Sequence, residues 1–354
     1  MRNCYRKLEK GEAIFVGIDL HKKRWQVTIR TSDVELFNSS IPGNWEALKN
    51  QLTKFKGHPI SVVYEAGYFG FWVHDHLASF GVDCIVTPPS LIPREYGNRV
   101  KTDRRDSSKL ALLLAKGLLK RVHVPTNEER YHRQVARRRR QLLRDRVRVQ
   151  NRIKSELQLF GIEFADKKGK WTQIFFENLC RIRFKDRWMQ KSFNQLLEQY
   201  QFLETLIARQ TKLVRDLAEE PRYKDKVEIL CTIPGIGILV AMELLLELQD
   251  VSRFQKADQV AAYVGLTPSQ FSSAEKIRMG RITRIGKGTL RALLVQASWQ
   301  LIRKDGVMGE KYEKLKVRAG GKKAIVAIAR TLIIRMRRLL LDNTPYAIGV
   351  ISSS

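Results

Sequence analysis

Four carboxylates stand where a protein could hold a divalent cation. Asp19 and Glu65 each close a short apolar run that is typical of a strand. Asp103 and Asp106 lie near the start of a helical pattern, at a spacing that places them on one helix face. Clustered carboxylates repel one another and usually imply a cation, and hard oxygen ligands favour Mg²⁺ or Mn²⁺. Such a site typically serves phosphodiester chemistry, although spacing alone leaves open four separate solvated acids.

A pair of serines, Ser272 and Ser273, lies in a segment rich in glycine and in basic residues. The basic residues of this segment are Lys276, Arg278, Arg281, Arg284 and Lys287. A serine hydroxyl becomes a nucleophile only when a base or a metal activates it and cations stabilise the developing charge. From these residues alone, the segment 271–287 is predicted to be a flexible basic loop with a structural or phosphate-binding serine.

The sequence IPGIG at 233–237 places Gly235 and Gly237 in a turn between two apolar helical segments. This pattern is typical of a helix-hairpin-helix, in which glycines let the backbone approach a phosphate and a helix N-terminus offers free N–H groups. Such contacts position DNA without reading its sequence. A tight turn between helices, with no ligand, explains the same residues equally well.

Arginines are dense between residues 130 and 152, where Asp145 is the one acidic residue. A solvated surface helix normally interleaves acids, so this run favours a nucleic-acid contact over a solvated face. Structured RNA is as suitable a target as DNA, because A-form helices are recognised largely through backbone and shape. The residues predicted to contact nucleic acid are Arg137, Arg138, Arg139, Arg140, Arg144 and Arg148, with Gly235, Gly237, Lys276, Arg278 and Arg281.

The composition indicates the same partner. The chain has 354 residues, and its 44% hydrophobic content excludes a disordered basic tail. Its 65 Lys and Arg against 36 Asp and Glu give a net charge of +29. Nucleic acid is the leading polyanion to compensate this charge, and an anionic membrane surface is second. No apolar run is long enough to span a membrane, no signal peptide is evident, and scattered cysteines indicate a reducing cytoplasmic compartment.

The first 125 residues have an α/β pattern. Apolar alternation and β-branched runs predict strands, and apolar residues three and four positions apart predict helices. The predicted strands are 15–19, 25–29, 34–37, 60–65 and 83–86, and the predicted helices are 45–55, 71–80 and 103–119. Three strands are therefore followed by a helix, a strand, a helix, a strand and a helix.

After Pro125 the pattern becomes helical. Residues 126–220 predict a long helical hairpin or coiled-coil arm, with a bend near Gly161 and residues 167–170. The remainder is predicted to be helical with glycine-rich turns. We therefore expect three domains, at 1–125, 126–220 and 221–354.

Several motifs together resemble one family. The chain is similar to the DEDD-type transposases of bacterial insertion sequences, also known as bridge-RNA-guided recombinases, at GIDLHK (17–22), YEAG (64–67) and KTDRRDSSKLA (101–111). The similarity continues in the family's order through residues 143–163, 233–237, 261–294 and 322–333. It therefore covers nearly the whole chain.

The resemblance implies a fold and a set of catalytic residues. The implied fold is an α/β RNase H-like (RuvC-like) N-terminal domain, a helical arm and a mainly α C-terminal domain with a helix-hairpin-helix-like element. The family's metal-binding catalytic acids, which hold Mg²⁺ or Mn²⁺, correspond to Asp19, Glu65, Asp103 and Asp106. Its serine nucleophile, which forms a phosphoserine link to DNA, corresponds to Ser273. Ala274 replaces the glycine that usually follows, so Ser272 remains an alternative.

The resemblance also implies partners, and rival functions remain. The implied partners are donor and target DNA and a noncoding bridge RNA that directs their choice. Other copies of the chain are also implied, in a dimer that assembles to a tetramer. No membrane partner is expected. One rival is a Holliday-junction-type endonuclease that uses the same acids with water as nucleophile. The other is a non-catalytic nucleic-acid-binding protein derived from a transposase. His21 either approaches the metal site or is a surface residue in a turn.

Overall fold

The computed structural model describes residues 8–93, 102–163, 171–273, 276–283 and 285–349, with the backbone alone over 271–279. The chain divides into two compact units, Met1–Pro125 and Thr126–Ser354. No helix in the described ranges is both long and apolar enough to cross a membrane.

The first unit has the predicted order of elements. Its strands and helices are β1 (Ile14–Leu20), β2 (Arg24–Arg30), β3 (Glu35–Pro42), α1 (Trp45–Thr53), β4 (Ile60–Glu65), α2 (Trp72–Ser79), β5 (Asp83–Thr87) and α3 (Asp103–Ala115), with a 3₁₀ turn at Pro89–Leu91. Helix α1 begins after Asn44, whose side chain accepts a hydrogen bond from the Ala47 amide at 2.9 Å. Helix α3 ends earlier than predicted because Gly117 adopts a φ of +66°, which stops the helix.

The five strands form one mixed sheet in the order β3-β2-β1-β4-β5. Strands β1, β2 and β3 pair antiparallel, whereas β4 runs parallel to both β1 and β5. Helices α1 and α2 contribute to the core on one face, and α3 covers the other face, where Leu110 and Leu114 pack against Val63. This α/β arrangement is compatible with the RNase H-like fold that the resemblance implies. Because both faces are covered, polar side chains can collect at the strand ends.

The second unit is mainly helical. Its elements are α4 (Asn127–Leu159), α5 (Gln173–Arg181), α6 (Arg187–Ala218), α7 (Lys224–Cys231), α8 (Ile238–Leu248), a 3₁₀ turn (Val251–Arg253), α9 (Ala257–Tyr263), β6 (Pro268–Ser273), β7 (Lys276–Ile282), α10 (Gly288–Lys304), α11 (Gly306–Ala319) and α12 (Gly321–Asp342). Helix α4 begins with a capping box, in which Thr126 and Glu129 each bond the other's backbone N–H.

Two apolar clusters hold this unit together. Residues of α4 such as Ile153 and Leu157 pack against Phe193 and Tyr200 of α6, which makes the long helical hairpin that the sequence predicts. A larger cluster contains buried residues from each of the helices α7, α8, α9, α10, α11 and α12, and it includes Ala136 of α4. The segment 167–170, where a bend is predicted, lies outside the described residues. The coiled-coil character of the arm and the domain boundary at residue 220 stay predictions.

The prediction of a flexible loop after residue 270 was wrong. Strands β6 and β7 pair antiparallel, and Ser273 pairs with Lys276 at the end of this hairpin. The alternation of Ile277 and Met279 with charged residues was a strand signal, but the glycines and dense basic residues of the segment favoured a loop. Ala274, Arg284 and the side chains of Ser272, Ser273, Lys276 and Arg278 lie outside the described residues.

Candidate active site

Two of the four predicted acids stand at the ends of adjacent parallel strands. Ile18 of β1 pairs with Tyr64 of β4, and Asp19 and Glu65 are the next residues on the two strands. Glu65 is also paired with Thr87 of β5. The parallel register therefore brings Asp19 and Glu65 to the same edge of the sheet, as expected for two strands that both end there in a carboxylate.

The other two acids lie in the first turn of α3, which is the helix on the adjoining face. Thr102 caps this helix by accepting a hydrogen bond from the Arg105 amide at 3.4 Å. Asp103 and Asp106 occupy the turn that follows, where the helix dipole favours negative charge. The helix start therefore tolerates two carboxylates close together.

Helix α3 reaches the acid-bearing end of β1 because Gly17 has no side chain. A Cβ atom on Gly17 would lie 2.2 Å from the Ser107 carbonyl oxygen and 2.5 Å from the Ala111 amide nitrogen. The Ser107 hydroxyl, buried at the same contact, lies 2.8 Å from the Thr28 hydroxyl. Gly17 was not predicted to be a positioning residue, although a lone glycine inside a strand is a known sign of close backbone approach.

This contact brings Asp19 and Asp103 together around a histidine. His21 Nε2 lies 3.2 Å from Asp19 Oδ2 and 3.3 Å from Asp103 Oδ2. One ligand atom from each of the three residues lies within 4.8 Å of the others, so the group has the dimensions of a metal site. Of the two alternatives for His21, the structure favours proximity to the acids over an isolated surface position.

The electrostatics of Asp19 reflect this crowding. Burial is the largest influence and raises the pKa of Asp19 above its ordinary value, and the negative charges of Asp103 and Asp106 raise it further. His21 opposes them by charge and by a hydrogen bond. Asp106 is thus close enough to act on Asp19, whereas Glu65 is related to it by strand register. The donor set, carboxylates with one imidazole, fits a divalent cation.

Replacement of Gly17 by alanine is expected to lower the free energy of unfolding by about 1–3 kcal/mol, because the new methyl group meets backbone atoms of α3 that cannot turn aside. Urea unfolding of the wild type and of Gly17→Ala measures this change in the free energy of unfolding. Gly67→Ala is the matched control, since its Cβ would meet nothing nearer than 3.9 Å. If Gly17→Ala unfolds like the wild type, α3 does not approach β1 this closely.

In the second unit, the two glycines of the IPGIG turn differ. Gly235 has a φ of +91°, and a Cβ there would lie 2.7 Å from the Ala297 carbonyl oxygen of α10. Packing against α10 therefore accounts for Gly235 without a phosphate. Gly237 precedes the first residue of α8, and a Cβ there would meet nothing within 4 Å. Gly237 is the residue of this turn at which a backbone contact with DNA stays a prediction.

The arginine run divides into internal and exposed residues. Arg137 Nε lies 2.9 Å from Glu247 of α8, and Arg140 Nη2 lies 2.7 Å from Glu243 of the same helix. Arg139 donates a hydrogen bond to Thr211 of α6. The exposed members of the predicted set are Arg138, Arg144 and Arg148, the last paired with Asp145, and Arg281 of β7 is also exposed.

The interpretation that the arginine run lacks acidic partners therefore needs correction. Glu243 and Glu247 are buried among these side chains, and they follow the arginines by about a hundred residues in the chain. The buried acids show that part of the run stabilises the fold. Sequence neighbours of the arginines carried no sign of this, although two glutamates one turn apart on the very apolar helix α8 were a signal.

The chain matches transposase family models over both units. Residues 16–162 match the DEDD transposase model of the IS110 type, and residues 227–313 match the Transposase IS116/IS110/IS902 family. The transposase of insertion sequence element IS1533 from Leptospira borgpetersenii is 28% identical over 342 residues, which cover 94% of this chain and 97% of the relative. The candidate transposase y4rJ of Sinorhizobium fredii is 30% identical over an alignment of 362 positions, which covers 92% of this chain and 91% of the relative.

The matched regions include the catalytic residues that the sequence predicts. The four acids lie within the first matched region, and Ser273 lies within the second. The relatives match over nearly their full lengths, so the similarity extends beyond single motifs. The chain therefore belongs to the IS110-type family of DEDD insertion-sequence transposases.

Proposed function

We propose that this transposase cuts and rejoins DNA with a divalent-metal site in its first unit and a serine nucleophile in its second. The observation that carries the proposal is the convergence of Asp19 and Asp103, from a strand end and a helix start, on a single nitrogen of His21. Carboxylates so placed repel one another unless a cation accompanies them. Phosphodiester transfer is the chemistry that such a cation serves.

Each group has a role in this proposal. Asp19, Glu65, Asp103 and Asp106 would hold Mg²⁺ or Mn²⁺. The bound ion would polarise the scissile phosphodiester and stabilise the charge that develops on it. Ser273 loses its hydroxyl proton to solvent and attacks phosphorus, so that its Oγ–P bond forms while the bond from phosphorus to the 3′ oxygen breaks. The 3′ oxygen takes up a proton from solvent and leaves as a hydroxyl. The phosphoserine link conserves bond energy, and the strands can therefore be rejoined without ATP.

The proposal includes the partners that the family resemblance implies. Donor and target DNA are the substrates, and a noncoding bridge RNA selects them by base pairing while the protein contacts backbone. The chain acts as a homo-oligomer, in which the arm at 126–220 mediates dimerisation and contacts RNA or DNA, and dimers assemble to a tetramer. Exposed arginines of α4 and the net charge of +29 support a polyanionic partner of either kind.

The test of the metal site is Asp106→Asn. We expect the rate of DNA cleavage in Mg²⁺ to fall by about 10²–10³-fold, because the change removes a charged group that helps to hold the ion. This factor is the typical loss of rate when one group that stabilises transition-state charge is removed. Nucleic-acid affinity should stay near the wild-type value, because the basic surface is unaltered. Asp33→Asn, at an exposed turn in the same unit, is the control. Normal cleavage by Asp106→Asn would show that the metal-site assignment is wrong.

The arginine contact is tested by the salt dependence of binding. Each phosphate contact contributes about −0.9 to the slope of log K against log salt on duplex DNA. Replacing Arg138, Arg144 and Arg148 together by glutamine should therefore make the slope less steep by up to about 2.7. Arg318→Gln, an exposed arginine at the end of α11, is the control. An unchanged slope and affinity would show that these three arginines do not contact nucleic acid and form a solvated helix face.

A further inference from the structure

We propose that His21 is a direct nitrogen ligand of the metal site and gives that site a preference for Mn²⁺ over Mg²⁺. This inference rests on the proposed function, because it concerns the ion that the acids hold. It goes beyond the four-carboxylate site, since a nitrogen ligand is one that Mg²⁺ accepts less readily than first-row transition metals do.

The position of the imidazole carries the inference. Two neighbouring ligands of an octahedral ion, each about 2.1 Å from it, are about 3 Å apart. His21 Nε2 lies 3.2 Å from one oxygen of Asp19 and 3.3 Å from one oxygen of Asp103. The nitrogen is thus spaced from both carboxylates as a third ligand would be, and the same ring nitrogen faces both.

The local backbone explains why His21 reaches this place. Strand β1 ends at Leu20, and β2 begins at Arg24, so His21 is the first residue of the turn that follows the acid-bearing strand end. Asp19 of β1 pairs with Gln26 of β2, and this pairing fixes the register of the two strands at the base of the turn. The side chain of His21 is 53% exposed and that of Asp103 63% exposed, so an ion can enter the group from solvent.

A simple hydrogen-bonding role accounts for less of the geometry. In a neutral imidazole one ring nitrogen carries at most one proton, so a single N–H would have to be divided between two acceptors. Here one nitrogen faces two carboxylate oxygens at nearly equal distances. An ion shared among the three groups would satisfy all of them at once, and Mn²⁺, as a first-row transition metal, accepts an imidazole nitrogen more readily than Mg²⁺ does.

The test uses Mn²⁺ as a spectroscopic probe on the full-length protein. Electron spin echo measurements on the Mn²⁺-loaded wild type should show the ¹⁴N coupling of a directly bound imidazole, and His21→Ala should lack it. Free Mn²⁺, measured by its electron paramagnetic resonance signal, should show that His21→Ala binds Mn²⁺ at least about 10-fold more weakly. Competition by Mg²⁺ should show a much smaller loss of Mg²⁺ affinity.

Control variants separate this inference from the proposed function. His74→Ala should retain the ¹⁴N signal, because His74 faces a single carboxylate, Asp75, at 3.4 Å. Asp19→Asn should weaken Mn²⁺ binding in either case. If Asp19→Asn lowers Mn²⁺ affinity but the wild type shows no ¹⁴N coupling, the inference about His21 is wrong and the carboxylate site stands. If the wild type binds no Mn²⁺, or Asp19→Asn binds it equally well, both proposals fail.

Discussion

Replacement of Ser273 by alanine is expected to reduce DNA cleavage by more than about 10³-fold, because it removes the proposed attacking oxygen. Backbone pairing of Ser273 with Lys276 at the end of the β6–β7 hairpin does not depend on the hydroxyl. Metal binding and nucleic-acid binding should therefore be retained. The measurement is cleavage of the element's DNA together with covalent trapping, in which denatured wild-type reactions carry DNA on a protease-sensitive adduct and Ser273→Ala reactions do not.

Ser272→Ala is the matched control for this experiment, because it removes a hydroxyl from the neighbouring residue of the same strand. Mass spectrometry of the adduct then identifies the nucleophile, and an adduct on Ser272 would mean that the alignment at Ala274 is displaced. A third outcome would favour the junction-type endonuclease. Cleavage that survives replacement of both serines, with the four acids still essential, would indicate water as the nucleophile.

The largest effect on stability is expected from Glu247→Gln. The Glu247 side chain is 4% exposed and accepts two hydrogen bonds from Arg137, at 2.9 and 3.1 Å. Three further cations surround it, namely Arg133 at 3.8 Å, Arg140 at 3.5 Å and Lys287 at 3.4 Å. Removing this negative charge takes away the carboxylate that Arg137, Arg133 and Lys287 share, whereas Arg140 keeps Glu243 at 2.7 Å. We therefore expect the free energy of unfolding in urea to fall by about 3–5 kcal/mol.

The contribution of Glu247 to stability should depend on pH and should be lost as the pH falls. Burial alone would raise the pKa of Glu247, but the hydrogen bond from Arg137 and the charges of Lys287, Arg137 and Arg133 outweigh it and hold the pKa at about 2. A lowered folded-state pKa gives stability that is present above the ordinary value of 4.5 and is lost as pH falls towards 2. The shift corresponds to about 3 kcal/mol. The stability difference between wild type and Glu247→Gln should therefore narrow between about pH 5 and pH 2.

Comparison with the variant is needed because Glu243 acts in the opposite direction. Burial raises the pKa of Glu243, and the charge and hydrogen bond of Arg140 only partly offset this. Glu128→Gln serves as the control, since Glu128 forms an exposed ion pair with Arg222 at 2.6 Å and should contribute less than about 1 kcal/mol. Equal unfolding of Glu247→Gln and wild type would show that the buried network does not hold α4 to α8.

Much of the candidate site was predictable because its signals are local. Asp19 and Glu65 terminate runs of a few apolar residues, and the spacing of Asp103 and Asp106 indicates one helix face. Parallel strands that both end in a carboxylate place those groups at one sheet edge. The roles of His21 and Gly17 were less accessible, because they depend on which helix covers the sheet and how closely it approaches β1.

The amino-acid sequence alone predicts the order of elements in the first unit and the long helices of the second, since periods of two and of three to four residues are encoded among near neighbours. It also determined the net charge of +29. Tertiary packing determines which arginines are exposed, because Arg137 and Arg140 meet their acidic partners on α8 only after α4 and α8 pack together. It likewise decided that Asp103 meets His21, because α3 can approach β1 only where Gly17 leaves room. Such pairings join residues 82 to 110 positions apart, and no local period carries information over that distance.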